Sequence, residues 1–232
     1  MPRGYADDVP ARSRTAGPGD LQDGYRPAED LIPARPSIPK LSKAAAVCRA
    51  CALWRTGTQT VFGAGPASAR LMLVGEQPGD REDIEGEPFV GPAGAVLARA
   101  LEEAGIAQRD AYVTNVVKHF KWTQGRGKRR LHQRPNSEEI AACRPWLDSE
   151  LRVVRPEVVA CLGATAAKAL LGSKVRVTRD RGQFMETDFA PAVTVTVHPS
   201  SILRIDDDEE RQQARTEFTS DLRKIARRLD SG

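Results

Sequence analysis

Arg70-Leu-Met-Leu-Val-Gly75 is a short apolar run that stops on a glycine. It is too short for a core helix, so it reads as a buried strand. Gly91 to Gly105 (GPAGAVLARALEEAG) then reads as a helix with a glycine stop. The alternation continues downstream. Ala111 to Lys118 (AYVTNVVK) is a second strand, and Ser137 to about Val154 a helix with Asn136 as cap and Glu139 completing a capping box. Glu157 to Gly163 (EVVACLG) is a third strand, followed by an alanine-rich helix to Leu171. Residues 174–189 read as a ribbon or irregular hairpin, Ala192 to Val197 (AVTVTV) as a fourth strand, and Asp208 to Leu229 as a long charged helix. Strands alternating with helices predict an α/β fold of three layers, α/β/α, around a central four-stranded parallel sheet. Ligands bind such sheets at the carboxyl ends of the strands. Glu76, Asn115, Gly163 and His198 all fall at or near those ends, and this convergence predicts an active site.

The rest of the composition sets bounds. The 232 residues allow one domain of about 190 residues and a tail. Residues 1–40 hold seven of the sixteen prolines without helical or strand periodicity and are expected to be a disordered tail, with a single domain over 41–232. Leu41 to Trp54 reads as its first helix, with Ser42 a candidate cap. A net charge of +4 suits a nucleic-acid partner without demanding one. No apolar run approaches bilayer length, and the N-terminus lacks the apolar core of a signal peptide. A cytoplasmic monomer with no membrane partner is expected, and its thiols stay reduced.

The four cysteines are then candidate metal ligands. Cys48 and Cys51 have C-x2-C spacing, while Cys143 and Cys161 stand apart in sequence. One close pair and two further thiolates suit a tetrahedral site for zinc or an iron–sulfur cluster, which spacing does not separate. Two buried apolar cysteines and a redox pair are the plainer alternative. A second feature is Gly127-Lys-Arg-Arg-Leu-His132, inside a stretch from Ala111 to Ser137 with no Asp or Glu. Crowded cations suit a surface awaiting a polyanion. The imidazole at their end suits a nucleophile, acid, base or ligand. A third is the glycine-rich pair Gly75-Glu-Gln-Pro-Gly-Asp80 and Gly86-Glu-Pro-Phe-Val-Gly-Pro-Ala-Gly94. Glycines there let backbone approach a ligand closely. Neither GxxxxGK[ST] nor GxGxxG is present, so phosphate-loop and dinucleotide readings lose support.

These blocks carry a resemblance. GEQPGD, PFVGPAG, TNVVK and HPSSILR, in this order, are similar to the motifs of family-4 uracil-DNA glycosylases, over about residues 41–228. The resemblance implies a uracil-DNA glycosylase-like fold, uracil-containing DNA as partner, and a [4Fe-4S] cluster on Cys48, Cys51, Cys143 and Cys161. The chain departs from family-4 enzymes at Gln77, where they usually read GEAPG. They also carry a shorter Cys-Arg-Pro-Pro-like segment after TNVVK, where this chain continues Lys118-His-Phe-Lys-Trp122. Both departures resemble UdgX, the branch that bonds covalently to uracil-containing DNA, although that branch usually has isoleucine in place of Leu131.

The resemblance implies a division of labour. Phe89 supplies an aromatic plate for an extruded uracil. The Asn115 amide reads O4 and N3–H. His198 donates to O2 as charge builds on the leaving base. His132, held neutral by Lys128, Arg129 and Arg130, attacks C1′, with Glu76 orienting the ring and taking its proton and Gln77 positioning either. Lys128, Arg129, Arg130 and Arg204 contact phosphates, and Asp80 and Asp83 support the loop or stay solvated. His119 is the rival nucleophile. Single-stranded DNA is the expected preference, because extrusion then costs less. The alternative is a turnover family-4 glycosylase that leaves an abasic site.

Overall fold

In a computed structural model, which describes residues 25–231, five strands form one sheet in the order β2-β1-β5-β7-β6. They are β1 (Leu71–Gly75), β2 (Ala111–Asn115), β5 (Val158–Leu162), β6 (Phe184–Thr187) and β7 (Ala190–Thr196). The first three and β7 are mutually parallel, and β6 is antiparallel to β7 at the edge. The four predicted strands are therefore present, and the sheet gains a fifth from the stretch read as a ribbon. Edge strands pair on one side only, and β6 alternates exposed and half-buried residues, so its apolar signal is weak.

Helices cover both faces. They are α1 (Ile38–Ala45), α2 (Asp80–Glu85), α3 (Pro92–Glu103), α4 (Ser137–Val154), α5 (Ala164–Leu171), α6 (Val177–Asp180), α7 (Pro199–Ile202) and α8 (Asp208–Asp230). Alternate residues of β1 face opposite cores, as a pleated strand requires. Met72 and Val74 pack with Leu41, Trp146 and Leu147 from α1 and α4, whereas Leu71 and Leu73 pack with Leu97, Phe218 and Leu222 from α3 and α8. The capping box of α4 forms as read, with the Glu139 N–H donating to Asn136 Oδ1 (2.8 Å) and the Asn136 N–H to Glu139 Oε2 (2.7 Å). Among the described residues no helix is long and apolar enough to cross a membrane.

Two N-terminal readings change. The helix expected from Leu41 to Trp54 ends at Ala45, and Cys48 and Cys51 lie in the turn before a short 3-10 helix at Ala52–Arg55. Packed structure also begins before Leu41, because Ala28 is fully buried in a 3-10 turn at Ala28–Leu31. Residues 1–24 of the expected tail lie outside the described residues.

A short antiparallel hairpin, β3 (Trp122–Gln124) with β4 (Arg130–His132), stands apart from the sheet and carries the basic run. Between β2 and this hairpin lies Lys118, fully buried. Its ammonium uses all three protons, donating to Glu150 Oε2 (2.5 Å), Thr114 Oγ1 (2.6 Å) and the Asn115 carbonyl (2.7 Å). Glu150, also buried, accepts from Tyr112 Oη (2.9 Å) and the Gly63 N–H (3.1 Å). A buried charge left without its partner is costly, whereas an apolar replacement of both members is tolerated. Glu150→Leu alone should therefore lower stability by about 3–5 kcal/mol, and adding Lys118→Met should recover most of it. Urea unfolding of the three proteins checks this. Equal losses in the single and double variants would contradict it.

Candidate active site

The sheet's pairing registers bring the strand ends level. Gly75 pairs with Asn115, Val74 with Cys161, and Leu162 with Thr196. The strand order reverses between β1 and β5, since β1 leads to β2 on one side and has β5 on the other. A crevice at such a reversal is the usual ligand position of this architecture. Here it holds a cavity of about 480 Å³, lined by Glu76, Gln77, His132, Thr165, His198 and Arg204 among others.

Beside it, over Gly75, is a recess that side chains fill. A side chain at that position would collide with Asn115 Oδ1, lie 2.8 Å from Phe89 Cζ and stand 3.5 Å from His198 Nε2. Glycine thus lets the Asn115 side-chain carbonyl oxygen, the Phe89 ring and the His198 imidazole close over its backbone. Asn115 Oδ1 is buried and has no hydrogen-bond partner. Such an acceptor awaits a donor. The Phe89 ring stacks on the His198 ring at 6.1 Å between centroids and 29° between planes. Phe89 has a φ of 59°, a conformation that a bulky residue adopts only when its surroundings enforce it. Part of that enforcement comes from Glu82. Its buried carboxylate accepts from the Gly91 N–H (2.7 Å) and the Gly79 N–H (3.0 Å), tying the Phe89 loop to the Glu76–Gly79 loop.

His198 caps α7. Its Nδ1 accepts from the Ser200 N–H (3.2 Å) and lies 2.8 Å from Ser200 Oγ. An accepting Nδ1 places the proton on Nε2, the atom that faces the recess. Burial, with Arg204 and His132 nearby, lowers its pKa to about 4, so the ring is a neutral donor at ordinary pH.

The outer wall is the hairpin. Gln77, almost fully buried, is its fastening. Its Oε1 accepts from the Lys121 N–H (3.0 Å), and its amide nitrogen faces the Gln133 carbonyl (2.8 Å), the Lys121 carbonyl (3.3 Å) and His132 Nε2 (2.9 Å). An amide nitrogen only donates, so in this contact His132 Nε2 is the acceptor, its lone pair turned toward Gln77. Glu76 Oε1 lies 3.6 Å from the same nitrogen. Burial is the main cause that lowers the His132 pKa below its usual value; Arg204 and Arg134 push it the same way, against Glu76. The cations that favour a neutral ring are therefore Arg134 and Arg204, in place of the expected Lys128, Arg129 and Arg130.

Arg130 is committed elsewhere. Its guanidinium bonds Asp80 Oδ1 (2.5 Å) and the fully buried Asp83 Oδ2 (2.6 Å), over the rings of Phe120 and Trp122. Asp80 and Asp83 thus support the loop, and neither reaches the cavity. Lys128 and Arg129 sit at the exposed hairpin tip, away from the cavity lining. His119 is buried, its Nε2 3.0 Å from Thr60 Oγ1 and its pKa lowered to about 4 by burial. That side chain is not on the cavity, which leaves His132 as the imidazole at the mouth.

Cys48, Cys51 and Cys143 share one neighbourhood between the first turns and α4: burial pushes Cys51 up to about 11 and Cys143 up to about 12, and Cys48 adds to both and Cys51 to Cys143. Trp146 Nε1–H donates to Cys48 Sγ (3.3 Å), and the Lys118 N–H to Cys143 Sγ (3.2 Å). Hydrogen bonds to sulfur are the pattern by which proteins stabilise cluster thiolates. The Cys161 pKa is pushed up to about 12 by burial alone, with no thiolate contributing. Among the described residues no three His, Cys, Asp or Glu side chains are set to hold a single metal ion.

Sequence reading missed Glu82, Arg134 and Thr165. Thr165 was two residues beyond Gly163, the strand end that was noticed. Arg134 continued the cationic run past His132. Glu82 lies in the charged run Asp80-Arg-Glu-Asp83, which gives no sign of its burial.

The family model for the uracil DNA glycosylase superfamily matches residues 62–223. A type-4 uracil-DNA glycosylase of Thermotoga maritima is 39% identical over 158 residues, covering 68% of this chain and 78% of that protein. One of Archaeoglobus fulgidus is 35% identical over 185 residues, covering 77% of this chain and 86% of that protein. A type-5 uracil-DNA glycosylase of Pyrobaculum aerophilum is 33% identical over 125 residues, covering 46% of this chain and 50% of that protein.

The neutral His198 ring has a consequence for stability. Its folded pKa lies below the usual histidine value of about 6.5, so the unfolded chain binds more protons in the interval down to about 4. The stability this provides is complete above about pH 6.5 and is lost as pH falls through that interval. Urea unfolding at pH 7.5 and pH 5 should show a smaller loss on acidification in His198→Asn than in the wild type. Equal losses would contradict the assignment.

Proposed function

This chain belongs to the uracil DNA glycosylase superfamily, and from that premise we propose that it removes uracil from DNA and is then captured covalently at C1′ by His132. What carries the second half of this reading is one observation: His132 Nε2 lies at the cavity mouth, 3.6 Å from Glu76 Oε1 and 2.9 Å from the Gln77 amide, on a ring biased toward the neutral form.

In this reading the extruded uracil enters the recess at Gly75. Asn115 Oδ1 accepts from N3–H, which rejects cytosine because its N3 has no proton. Phe89 stacks on the ring. The C1′–N1 bond breaks with its electron pair passing to the base, and His198 Nε2–H stabilises the charge at O2. The His132 Nε2 lone pair then forms the bond to C1′. Gln77 releases this nitrogen without becoming unsatisfied, since its two N–H groups keep the Lys121 and Gln133 carbonyls. Glu76 stands against the attacking nitrogen, so its contribution is negative charge beside the oxocarbenium and the imidazolium. The Nδ1 proton leaves to water from a ring that is 42% exposed. The exposed Lys128 and Arg129 hold flanking phosphates with Arg204.

A [4Fe-4S] cluster would be held by Cys48, Cys51 and Cys143. His119 is our choice for the fourth ligand over Cys161. It occupies the place of the family-4 cysteine after TNVVK, next to the Lys118 whose N–H bonds Cys143. The cluster would supply a structural link that pins the first helix to α4. Cys161→Ser should leave iron content unchanged, while His119→Ala should lower it.

A second reading is favoured by the names of the relatives, which are type-4 uracil-DNA glycosylases. Water would add to C1′ beside Glu76, and the protein would turn over. Counting uracil released under excess oligonucleotide separates the two. Covalent capture predicts about one uracil per protein and a rise well above one in His132→Gly, where water replaces the ring. Many uracils per wild-type protein would contradict capture and leave excision standing.

A further inference from the structure

Glu76 has a second partner. Thr165, in the first turn of α5, donates its hydroxyl to Glu76 Oε2. That bond occupies one oxygen of the carboxylate and leaves Oε1 facing His132 Nε2 at 3.6 Å. It also spans the reversal in strand order, because Glu76 follows β1 and Thr165 follows β5. Both residues line the same cavity. The other cationic neighbour of Glu76, Arg134, lies 3.6 Å away on a side chain that is 76% exposed. A long exposed arm holds a carboxylate poorly, since it must give up rotamer freedom to do so. The Thr165 hydroxyl has a single torsion, and a carboxylate gains from sitting at a helix N-terminus.

The start of α5 is itself fixed. Gly163 has a φ of 91°, and a side chain there would stand 3.0 Å from His198 Cβ. The turn that delivers the Thr165 hydroxyl is therefore packed against the residue that caps the base recess. A threonine near a helix start often serves only the helix. Here its hydroxyl instead reaches a residue of another strand, 89 positions earlier in the chain.

We propose that Thr165 is a positioning residue, whose hydroxyl fixes the Glu76 carboxylate so that its free oxygen stands against the attacking nitrogen of His132. The proposal rests on the covalent-capture reading above. It makes Thr165 act through Glu76 and leaves DNA binding to other residues.

The test uses the full-length protein and a short single-stranded uracil oligonucleotide. Single-turnover uracil release and covalent capture are followed in the wild type, Thr165→Val and Thr165→Ser, each also in a Glu76→Ala background. Affinity is read separately with an oligonucleotide carrying a 2′-fluoro uridine that resists cleavage. Thr165→Val should slow the reaction by roughly tenfold, the scale of a small misplacement of a reacting group, with affinity unchanged. Thr165→Ser should restore most of the rate. In the Glu76→Ala background Thr165→Val should cost nothing more, because both changes remove one function. An unchanged rate in Thr165→Val, an equal loss in Thr165→Ser, additive losses with Glu76→Ala, or a loss explained by weaker binding would each overturn the assignment. Absence of uracil release from the wild type, or release without capture, would instead overturn the reading on which this proposal rests, and the proposal with it.

Discussion

The contact between Arg130 and two carboxylates, Asp80 and the fully buried Asp83, decides what the basic segment can do. A hairpin of two three-residue strands has little stability of its own in water. A buried carboxylate, in turn, requires a counter-charge. Each need answers the other. Arg130 inserts between the acids with Phe120 and Trp122 against its faces, and the hairpin becomes a fixed wall. Arg130 and His132 lie two residues apart on one strand and so share a face. Anchoring the guanidinium therefore brings the imidazole to the cavity. Of the three consecutive cations, one is structural and two remain exposed for an anionic partner.

The recess over Gly75 and the cavity mouth beside it have different physics. The recess is buried and carries one unsatisfied acceptor, Asn115 Oδ1, and one neutral donor, His198 Nε2. It suits recognition of a flat base with complementary edges. The mouth is half-exposed and carries the Glu76 carboxylate, the Gln77 amide and the His132 lone pair. It suits charge development and bond formation. The Lys118–Glu150 pair underlies the recess, holding the Asn115 carbonyl from below while the Lys118 N–H bonds Cys143. The Asn115 backbone and the cysteine neighbourhood thus share one buried residue.

Much of this was legible before any coordinates. Long periodic segments gave the right elements, since hydrophobic alternation and capping residues act locally; α4 begins at the predicted Ser137 after the predicted cap. The strand-end rule pointed to Glu76 and His198, which line the cavity, and to Asn115, which packs over Gly75. What failed depended on tertiary context. The stretch from Leu41 to Trp54 has helical composition, yet the chain leaves the helix after Ala45 and turns through Cys48 and Cys51. The antiparallel edge strand had no alternating signal. Arg130 was grouped with its basic neighbours because sequence shows charge and not direction. The cations acting on His132 come from Arg134 and from Arg204, which lies 72 positions further along the chain. Glu82 and Thr165 carried no motif, and only packing reveals what they hold.

Intact-mass analysis after mixing the protein with a short uracil oligonucleotide tests the central claim most directly. The account predicts a species equal to protein plus oligonucleotide minus uracil, stable in denaturant, with the modified peptide containing His132. Unmodified protein alongside an oligonucleotide that has lost its uracil, or an adduct mapped to another residue, would contradict it.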